Sequence, residues 1–182
     1  MNTTIKKTVS MVCLMGALSF SSFSFAQSTE VAFSPREGAQ DLVLKVIDGS
    51  KKSIRLSAYS LTSVPVIKAL IGAKKRGVDV AVVADYKQNI TMDNGAGRAA
   101  LNLLVLNEIP TRVISIFPIH HDKFIVSDGV NVETGSFNYS KAAEYSNSEN
   151  VLVVWDDAKL AKQYIEHWNS RFSQANDYKA NY

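Results

Sequence analysis

Cysteine is nearly absent from this sequence of 182 residues, and the only one is Cys13, near the amino terminus. A disulfide needs two cysteines, so a fold held together by disulfides is excluded. Net charge is also small. The formal net charge is +3, and it falls to +1 when Lys6 and Lys7 are set aside, so the strong basic balance of many nucleic-acid-binding proteins is missing. We therefore expect any polyanion to be bound by a local group of residues.

The first 26 residues have the pattern of a secretory signal peptide. Lys6 and Lys7 precede an apolar run from Val9 to Phe20, and Ser24-Phe25-Ala26 is a small-x-small cleavage pattern. A membrane span needs about 20 apolar residues, and this run is shorter and interrupted by serines. We expect a mature chain that begins near Gln27, is periplasmic or secreted, and has no stable association with the membrane.

Alternating helix and strand patterns predict a single α/β domain over residues 27–182. Ser34 and Glu37 form a capping box, which predicts a first helix at that point, followed by apolar residues at helical spacing. The valine-rich segment Val78–Tyr86 is typical of a strand covered by helices on both faces. Further strands are predicted at Ile54–Ser60, Arg112–Ile116, Lys123–Ser127, Val130–Thr134 and Asn150–Asp156, and further helices at Ser63–Arg76, Gly97–Asn107 and around the aromatic stripe from Leu160 to Phe172.

The residues that carry chemistry are concentrated between His121 and Asn138. They read His-x-Lys, four residues, Asp, six residues, Gly-Ser-x-Asn. Period-two geometry directs His121 and Lys123 to the same face of one strand, and Ser136 and Asn138 share the end of the next. If a hairpin turn at Asp128-Gly129 brings these ends together, an imidazole, an ammonium, a hydroxyl and an amide converge on a volume the size of a phosphate.

At His121, Lys123, Asp128, Gly135, Ser136 and Asn138 the sequence resembles the HKD signature of the phospholipase D superfamily. Its single motif and short length resemble the bacterial endonuclease branch of that superfamily. The resemblance implies an α/β/α sandwich with a mixed, largely buried sheet flanked by helices. It also implies a phosphodiesterase that needs no metal or other cofactor, and we expect DNA as its substrate.

The motif residues have distinct expected roles. A neutral imidazole is available near pH 7, so His121 is the expected nucleophile on phosphorus. Lys123 and Asn138 are expected to hold the non-bridging oxygens and stabilise the transition state. Glu149, just before a predicted strand, is the candidate for fixing the other imidazole nitrogen, and the resemblance also places a glutamate there. Ser136 and Asp128 are given supporting roles, with an ordinary turn-forming aspartate as the alternative for Asp128.

One histidine does not complete the reaction, because in-line attack leaves the departing oxygen on the far side of phosphorus, where an acid must protonate it. The sequence has one His-x-Lys motif, and superfamily members with a single motif pair two copies across a two-fold axis. We therefore expect a homodimer in which His121 of one subunit is the nucleophile and His121 of the other is the general acid.

Several alternatives remain open at this stage. The same motif serves phospholipid hydrolases, including those acting on cardiolipin, and a catalytically idle DNA-binding module is a third reading. The polar segment Lys87–Arg98 is predicted as a surface loop, with Arg98 and Lys141 as weaker candidates for steering a polyanion. A metal site at His120 is disfavoured, since adjacent strand residues point to opposite faces, and His167 is interpreted as a surface or packing residue.

Overall fold

The computed structural model describes residues 28–92 and 95–180. The predicted signal peptide and its expected end near Gln27 lie outside the described residues. The strands are β1 (Ser28–Ser34), β2 (Ser53–Ala58), β3 (Asp79–Asp85), β4 (Thr111–Ile114), β5 (Lys123–Ser127), β6 (Asn131–Gly135), β7 (Glu149–Trp155) and β8 (Asn176–Asp177). The helices are α1 (Ala39–Gly49), α2 (Val64–Lys75), α3 (Ala96–Leu106), α4 (Lys141–Tyr145) and α5 (Ala158–Gln174), with a π-helical turn at Lys87–Thr91.

In this part of the chain, eight strands form one mixed sheet in the order β1-β7-β6-β5-β2-β3-β4-β8. Strands β2, β3 and β4 are parallel to one another. Strand β5 is antiparallel to β2 and begins an antiparallel run through β6 and β7 to β1. The expected α/β fold with a mixed sheet flanked by helices is confirmed.

The central strands send alternate side chains into two separate cores. Val82 of β3 packs in the core with α1, α2 and α3, whereas its neighbour Val83 packs in the core with α5. Because both of its faces are covered, β3 is apolar at every position between Asp79 and Asp85. Helix α5 is also fixed by a hydrogen bond, which the indole Nε1 of Trp168 donates to the carbonyl oxygen of Leu56 at 2.9 Å.

The first helix begins later than the capping box predicts. Ser34 ends strand β1, which the sequence patterns did not predict, and pairs there with Glu149 of β7. Its hydroxyl donates to the carbonyl oxygen of Asn147 at 3.1 Å. Helix α1 begins at Ala39, after Gly38 in the left-handed region with φ 87° and with no side-chain cap. The predicted capping box is therefore wrong, because the serine is engaged at the end of a strand.

The segment Lys87–Arg98, predicted as a polar loop, is helical at both ends. The π-helical turn occupies Lys87–Thr91, and α3 already contains Arg98. Asn89 of the turn is buried, and its side chain donates to the carbonyl oxygen of Tyr59 at 2.7 Å and accepts from the backbone N–H of Leu61 at 2.9 Å. The turn thus holds the chain that leaves β2.

One edge of the sheet collects strand ends from distant parts of the chain. Lys123 at the start of β5 pairs with Ala58 at the end of β2. Gly135 at the end of β6 pairs with Val151 of β7, two residues after Glu149. We call this the site edge. Lys123 and Glu149 begin their strands here, and His121 and Ser136 lie within two residues of a strand end.

Candidate active site

Lys123 occupies the first position of β5 and is buried, with 7% of its surface exposed. Its ammonium donates to the carbonyl oxygen of His121 at 2.8 Å and lies 5.0 Å from the ring centroid of Tyr59. Burial lowers the pKa of Lys123 to about 8, although the carboxylates of Glu149 and Asp122 act to raise it. Lys123 is thus a partly desolvated cation that releases its proton more readily than a fully solvated lysine.

His121 lies just before β5 and is exposed at the site edge. Its imidazole packs against Tyr59, with ring centroids 4.6 Å apart and planes inclined by 57°. Among the described residues, no hydrogen bond to this imidazole is present. The adjacent His120 is buried, with its Nε2 2.9 Å from the hydroxyl of Ser57.

Ser136 and Glu149 form the opposite wall. The Ser136 hydroxyl donates to Glu149 Oε2 at 2.6 Å, and the Nδ2 of Asn147 donates to Oε1 at 2.9 Å. The Ser136 oxygen also accepts from the backbone N–H of Asn150 at 3.1 Å. Both carboxylate oxygens of Glu149 are therefore engaged. The hydrogen bond expected between Glu149 and the His121 ring is not formed in this structure.

Gly135 makes that wall possible. A Cβ placed on this residue would lie 2.2 Å from the carbonyl oxygen of Asn150, far inside van der Waals contact with rigid backbone. Only glycine allows β6 and β7 to approach so closely at this point. The approach sets the Ser136 hydroxyl against the start of β7, where Glu149 lies.

These side chains converge on one groove of about 360 Å³. Its lining residues are His121, Lys123, Gly135, Ser136, Asn138 and Glu149. The Oδ1 atom of Asn138 is buried and has no hydrogen-bond partner among the described residues, which is unusual for a buried polar atom. Five of the predicted site residues thus line one groove, which brings together an imidazole, an ammonium, a hydroxyl, an amide and a carboxylate.

Asp128 lies at the other end of β5, away from the groove. Its carboxylate accepts from the backbone N–H groups of Lys51, Lys52 and Ser53, at 2.9, 2.7 and 3.0 Å. Burial acts to raise the pKa of Asp128, but these three donors outweigh it and the pKa is lowered. Its supporting role is therefore structural, since it ties the β5–β6 turn to the start of β2.

Arg98 and Lys141 do not line the groove either. The Arg98 guanidinium donates to the carbonyl oxygen of Ile90 through Nε and a terminal nitrogen, at 3.0 and 2.6 Å. Lys141 begins α4 and lines a different groove together with Val64 and Tyr145. Neither contact supports the predicted role in steering a polyanion to the site.

A second groove of about 430 Å³ shares His121, Lys123 and Gly135 with the first and extends toward α5, where Gln163, Tyr164 and His167 line it. His167 was interpreted from the sequence as a surface or packing residue. It is partly exposed, and its Nε2 donates to Asp122 Oδ2 at 2.7 Å. Gln163 and His167 are four residues apart and so share a helix face, and they flank the buried stripe. The four-residue spacing of Gln163 and His167 was the signal available in the sequence. No neighbouring residue, however, indicates that this helix face borders the site.

Comparison with known proteins fits this geometry. The family model described as "Cardiolipin synthase, PLD-like domain" matches residues 43–172. The chain belongs to the phospholipase D superfamily. The domain is accordingly that of a hydrolase acting on phosphodiester bonds.

Among solved structures, the chain is similar to Nuc, a phospholipase D family member from Salmonella typhimurium. The identity is 49%, the TM-score is 0.81, and the match covers 85% of this chain and 99% of that one. NucT from Helicobacter pylori shares the fold, with a TM-score of 0.72 at 19% identity over 84% of this chain and 100% of that one.

Curated relatives of the phospholipase D superfamily are more distant. A protein named "Phospholipase D" from Rickettsia bellii (strain RML369-C) is 34% identical over 76% of this chain and 66% of its own length. The "Mitochondrial cardiolipin hydrolase" of Xenopus laevis is 29% identical over 64% of this chain and 52% of its own length. This chain thus spans less than two thirds of either relative. None of the helices within residues 28–92 and 95–180 has the length and apolar content to cross a membrane.

Proposed function

We propose that this domain is a metal-independent DNA endonuclease that acts through a phosphohistidine intermediate. The observation that carries the proposal is the convergence of His121, Lys123, Ser136, Asn138 and Glu149 on one groove of about 360 Å³. The similarity to Nuc, at 49% identity and across 99% of that chain, supports the small bacterial endonuclease branch that the motif resembles.

His121 is the proposed nucleophile. Its imidazole is exposed on the groove and oriented by the ring of Tyr59. A ring nitrogen attacks phosphorus, so that a nitrogen–phosphorus bond forms while the bond to the departing oxygen of the DNA strand breaks. Water then attacks the same phosphorus, the nitrogen–phosphorus bond breaks, and the imidazole is regenerated with release of a phosphate-ended strand.

Lys123 and Asn138 are proposed to hold the non-bridging oxygens. With a pKa of about 8, the Lys123 ammonium is mainly protonated at neutral pH, and it is fixed in place by the carbonyl oxygen of His121. A buried, preorganised cation stabilises the charge that develops on phosphorus more effectively than a hydrated one. We propose that it provides the charge stabilisation that a metal ion gives in other phosphodiesterases.

The second acid is proposed to come from His121 of a partner subunit across a two-fold axis. In-line displacement requires a proton donor opposite the nucleophile, and the exposure of His121 at the edge of the protomer is compatible with a facing copy. A differentially tagged mixture isolates dimers with one native and one His121→Ala subunit. These should have at most a few per cent of native activity, because either the nucleophile or the acid is missing; native dimers carrying both tags are the control. Half activity, or an active monomer by light scattering, would contradict the shared site.

The central experiment compares plasmid DNA and lipid vesicles as substrates in the presence of EDTA. The mature native protein should nick and linearise the plasmid with EDTA present, and His121→Ala should reduce the rate by at least about 10³-fold, a loss in the range seen when a catalytic nucleophile is removed. Loss of native activity in EDTA contradicts the metal-free mechanism, and plasmid cleavage by the variant removes His121 from the nucleophile role.

A phospholipid hydrolase is the second candidate function. The names of the relatives in Rickettsia bellii and Xenopus laevis favour it. Against it, an apolar groove of about 340 Å³ between α2 and α3 shares no lining residue with the two grooves at His121. Hydrolysis of cardiolipin or phosphatidylcholine vesicles without plasmid cleavage would support this candidate over the nuclease.

The predicted signal peptide leads us to propose a periplasmic or secreted protein. Cell fractionation with an antibody to the mature chain tests this proposal. Recovery in the periplasm or medium, with an amino terminus near Gln27 by mass spectrometry, is the expected result. Recovery of the uncleaved chain in the cytoplasm would contradict it.

A further inference from the structure

The groove that extends from His121 toward α5 is lined partly by residues that have no role in the proposed phosphate chemistry. Phosphate contacts are accounted for by the first groove, which contains Ser136, Asn138 and Glu149. The second groove shares the catalytic pair His121 and Lys123 but adds the outer residues of α5. Its volume of about 430 Å³ is within the range of about 300–1,000 Å³ that is usual for small-ligand sites.

The α5 wall is held in a fixed arrangement. The ring of Tyr164 meets Phe124 edge to face, with centroids 5.0 Å apart and planes at 74°. His167 is anchored through its Nε2 by Asp122, and its ring centroid lies 6.1 Å from that of Phe124. Asp122 itself lies between the two catalytic residues in sequence. Two ring systems on α5 are therefore fixed relative to the nucleophile.

The remaining groups of this wall are polar. Gln163 is exposed, with an amide NH2 group that donates and an amide oxygen that accepts, and Thr134 of β6 lines the same groove. Ring faces beside an amide suit a flat ligand with donors and acceptors on its edge, which describes a nucleobase. An acyl chain would leave these polar groups without partners.

We propose that this groove binds the nucleoside next to the scissile phosphate, with the base against Tyr164 and His167 and its polar edge toward Gln163. This inference rests on the proposed nuclease function. Since His121 and Lys123 belong to both grooves, a phosphate in the first groove directs its attached sugar and base into the second. A base reaches these rings only when it is unstacked, so the groove reads single-stranded DNA.

The test uses two single-stranded substrates with the same phosphodiester backbone, oligothymidylate and an oligomer of abasic deoxyribose-type units. The variant Gln163→Ala alters an exposed side chain and leaves Tyr164 and the His167–Asp122 contact in place. We expect its kcat/KM for oligothymidylate to fall about tenfold, mainly through KM, and its rate on the abasic oligomer to remain native. Lys162→Ala, on the same helix in an exposed pair with Glu166, is the matched control and should be native on both.

An equal loss on both substrates, or no loss on either, overturns the base subsite while the nuclease function stands. A native enzyme that cleaves plasmid DNA but neither oligomer also overturns the subsite, and one that cleaves none of the three substrates overturns the nuclease function itself. A binding readout separates the two questions. In His121→Ala, an oligonucleotide containing 5-iododeoxyuridine should photocrosslink to Tyr164 or His167, as mapped by mass spectrometry; crosslinks confined to other residues overturn the subsite.

Discussion

The Ser136 hydroxyl and the Glu149 carboxylate are joined by a hydrogen bond of 2.6 Å that spans the ends of β6 and β7. It brings the negative charge of Glu149 into the groove of Lys123, whose pKa it raises against the effect of burial. The position of the wall formed by Ser136 and Glu149 therefore affects the protonation of Lys123 on the opposite wall.

The pH dependence of activity should report Lys123. Because the ammonium is the active form, kcat/KM should be high below its pKa and fall as pH rises through about 8. Glu149→Gln removes the charge that raises this pKa, so the alkaline limb should move to lower pH, in addition to any loss of amplitude. Initial rates on plasmid DNA from pH 6 to 9.5 measure the limb. Glu166→Gln is the control and should keep the native profile, and an upward shift in Glu149→Gln would refute the coupling.

Gly135→Ala should disrupt the site through its backbone. A Cβ at this position would lie 2.2 Å from the carbonyl oxygen of Asn150, and relief of such a clash typically costs about 1–3 kcal/mol. Denaturant unfolding should show that loss, and activity should fall by more than the unfolded fraction because Ser136 and Glu149 separate. Gly49→Ala is the control, since nothing lies within 4 Å of its Cβ position, and it should be close to neutral in both measurements.

Asp128→Ala should affect stability and leave the chemistry intact. Its carboxylate accepts three backbone N–H groups of residues 51–53, and leaving such donors without partners costs on the order of 1–3 kcal/mol. The free energy of unfolding in urea should fall accordingly, while kcat per folded molecule stays within about twofold of native. A large loss of kcat in a fully folded variant would assign Asp128 to the reaction.

Because of Glu133, the free energy of unfolding should decrease as the pH rises into the alkaline range. It is fully buried, burial raises its pKa to about 8, and it accepts a hydrogen bond of 2.7 Å from the hydroxyl of Tyr139. The folded state therefore retains a proton that the unfolded chain loses near pH 4.5. Stability from this group is complete below pH 4.5 and is lost as pH rises to about 8.

The variant Glu133→Gln removes this titration while keeping a similar volume and an acceptor for Tyr139. We expect native and variant proteins to have similar unfolding free energies at pH 5, and the variant to be more stable at pH 9 by a few kcal/mol. Urea titrations at both pH values make the comparison. A native protein that is equally stable at pH 5 and pH 9 would contradict the raised pKa.

Local periodicity was sufficient to predict much of this fold. The boundaries of β5 are those expected from the apolar run after Lys123, and buried β3 follows its valine pattern. Strand β1 escaped prediction because it is an edge strand whose residues Val31 and Phe33 remain exposed. The inward positions of β1 are Glu30, Ala32 and Ser34, so its apolar residues do not coincide with its buried face, as such predictions require.

The site was predictable where neighbours in sequence share a strand end, and unpredictable where contacts are long-range. His121 with Lys123, and Ser136 with Asn138, were predicted to share a face of a strand. The two pairs do line one groove, but β5 begins at Lys123 and β6 ends at Gly135, so the other three residues lie in the loops beside the strand ends. The contact between His167 and Asp122 joins a helix and a loop that are far apart in the chain. The hydrogen bonds from the backbone of residues 51–53 to Asp128 likewise join two distant segments, the start of β2 and the β5–β6 turn. No short sequence pattern encodes either partner.

The close approach of β6 to β7 at Gly135 also affects the order in which the site can be assembled. Because the groove needs Glu149 and the start of β7, a growing chain that has already made His121 and Lys123 still lacks one wall of its site. Strand β7 is in turn bordered by β1 from the start of the described chain. The groove lined by His121, Lys123 and Glu149 is therefore complete only when the chain has been made at least as far as β7 and this strand has paired with β6 and with β1.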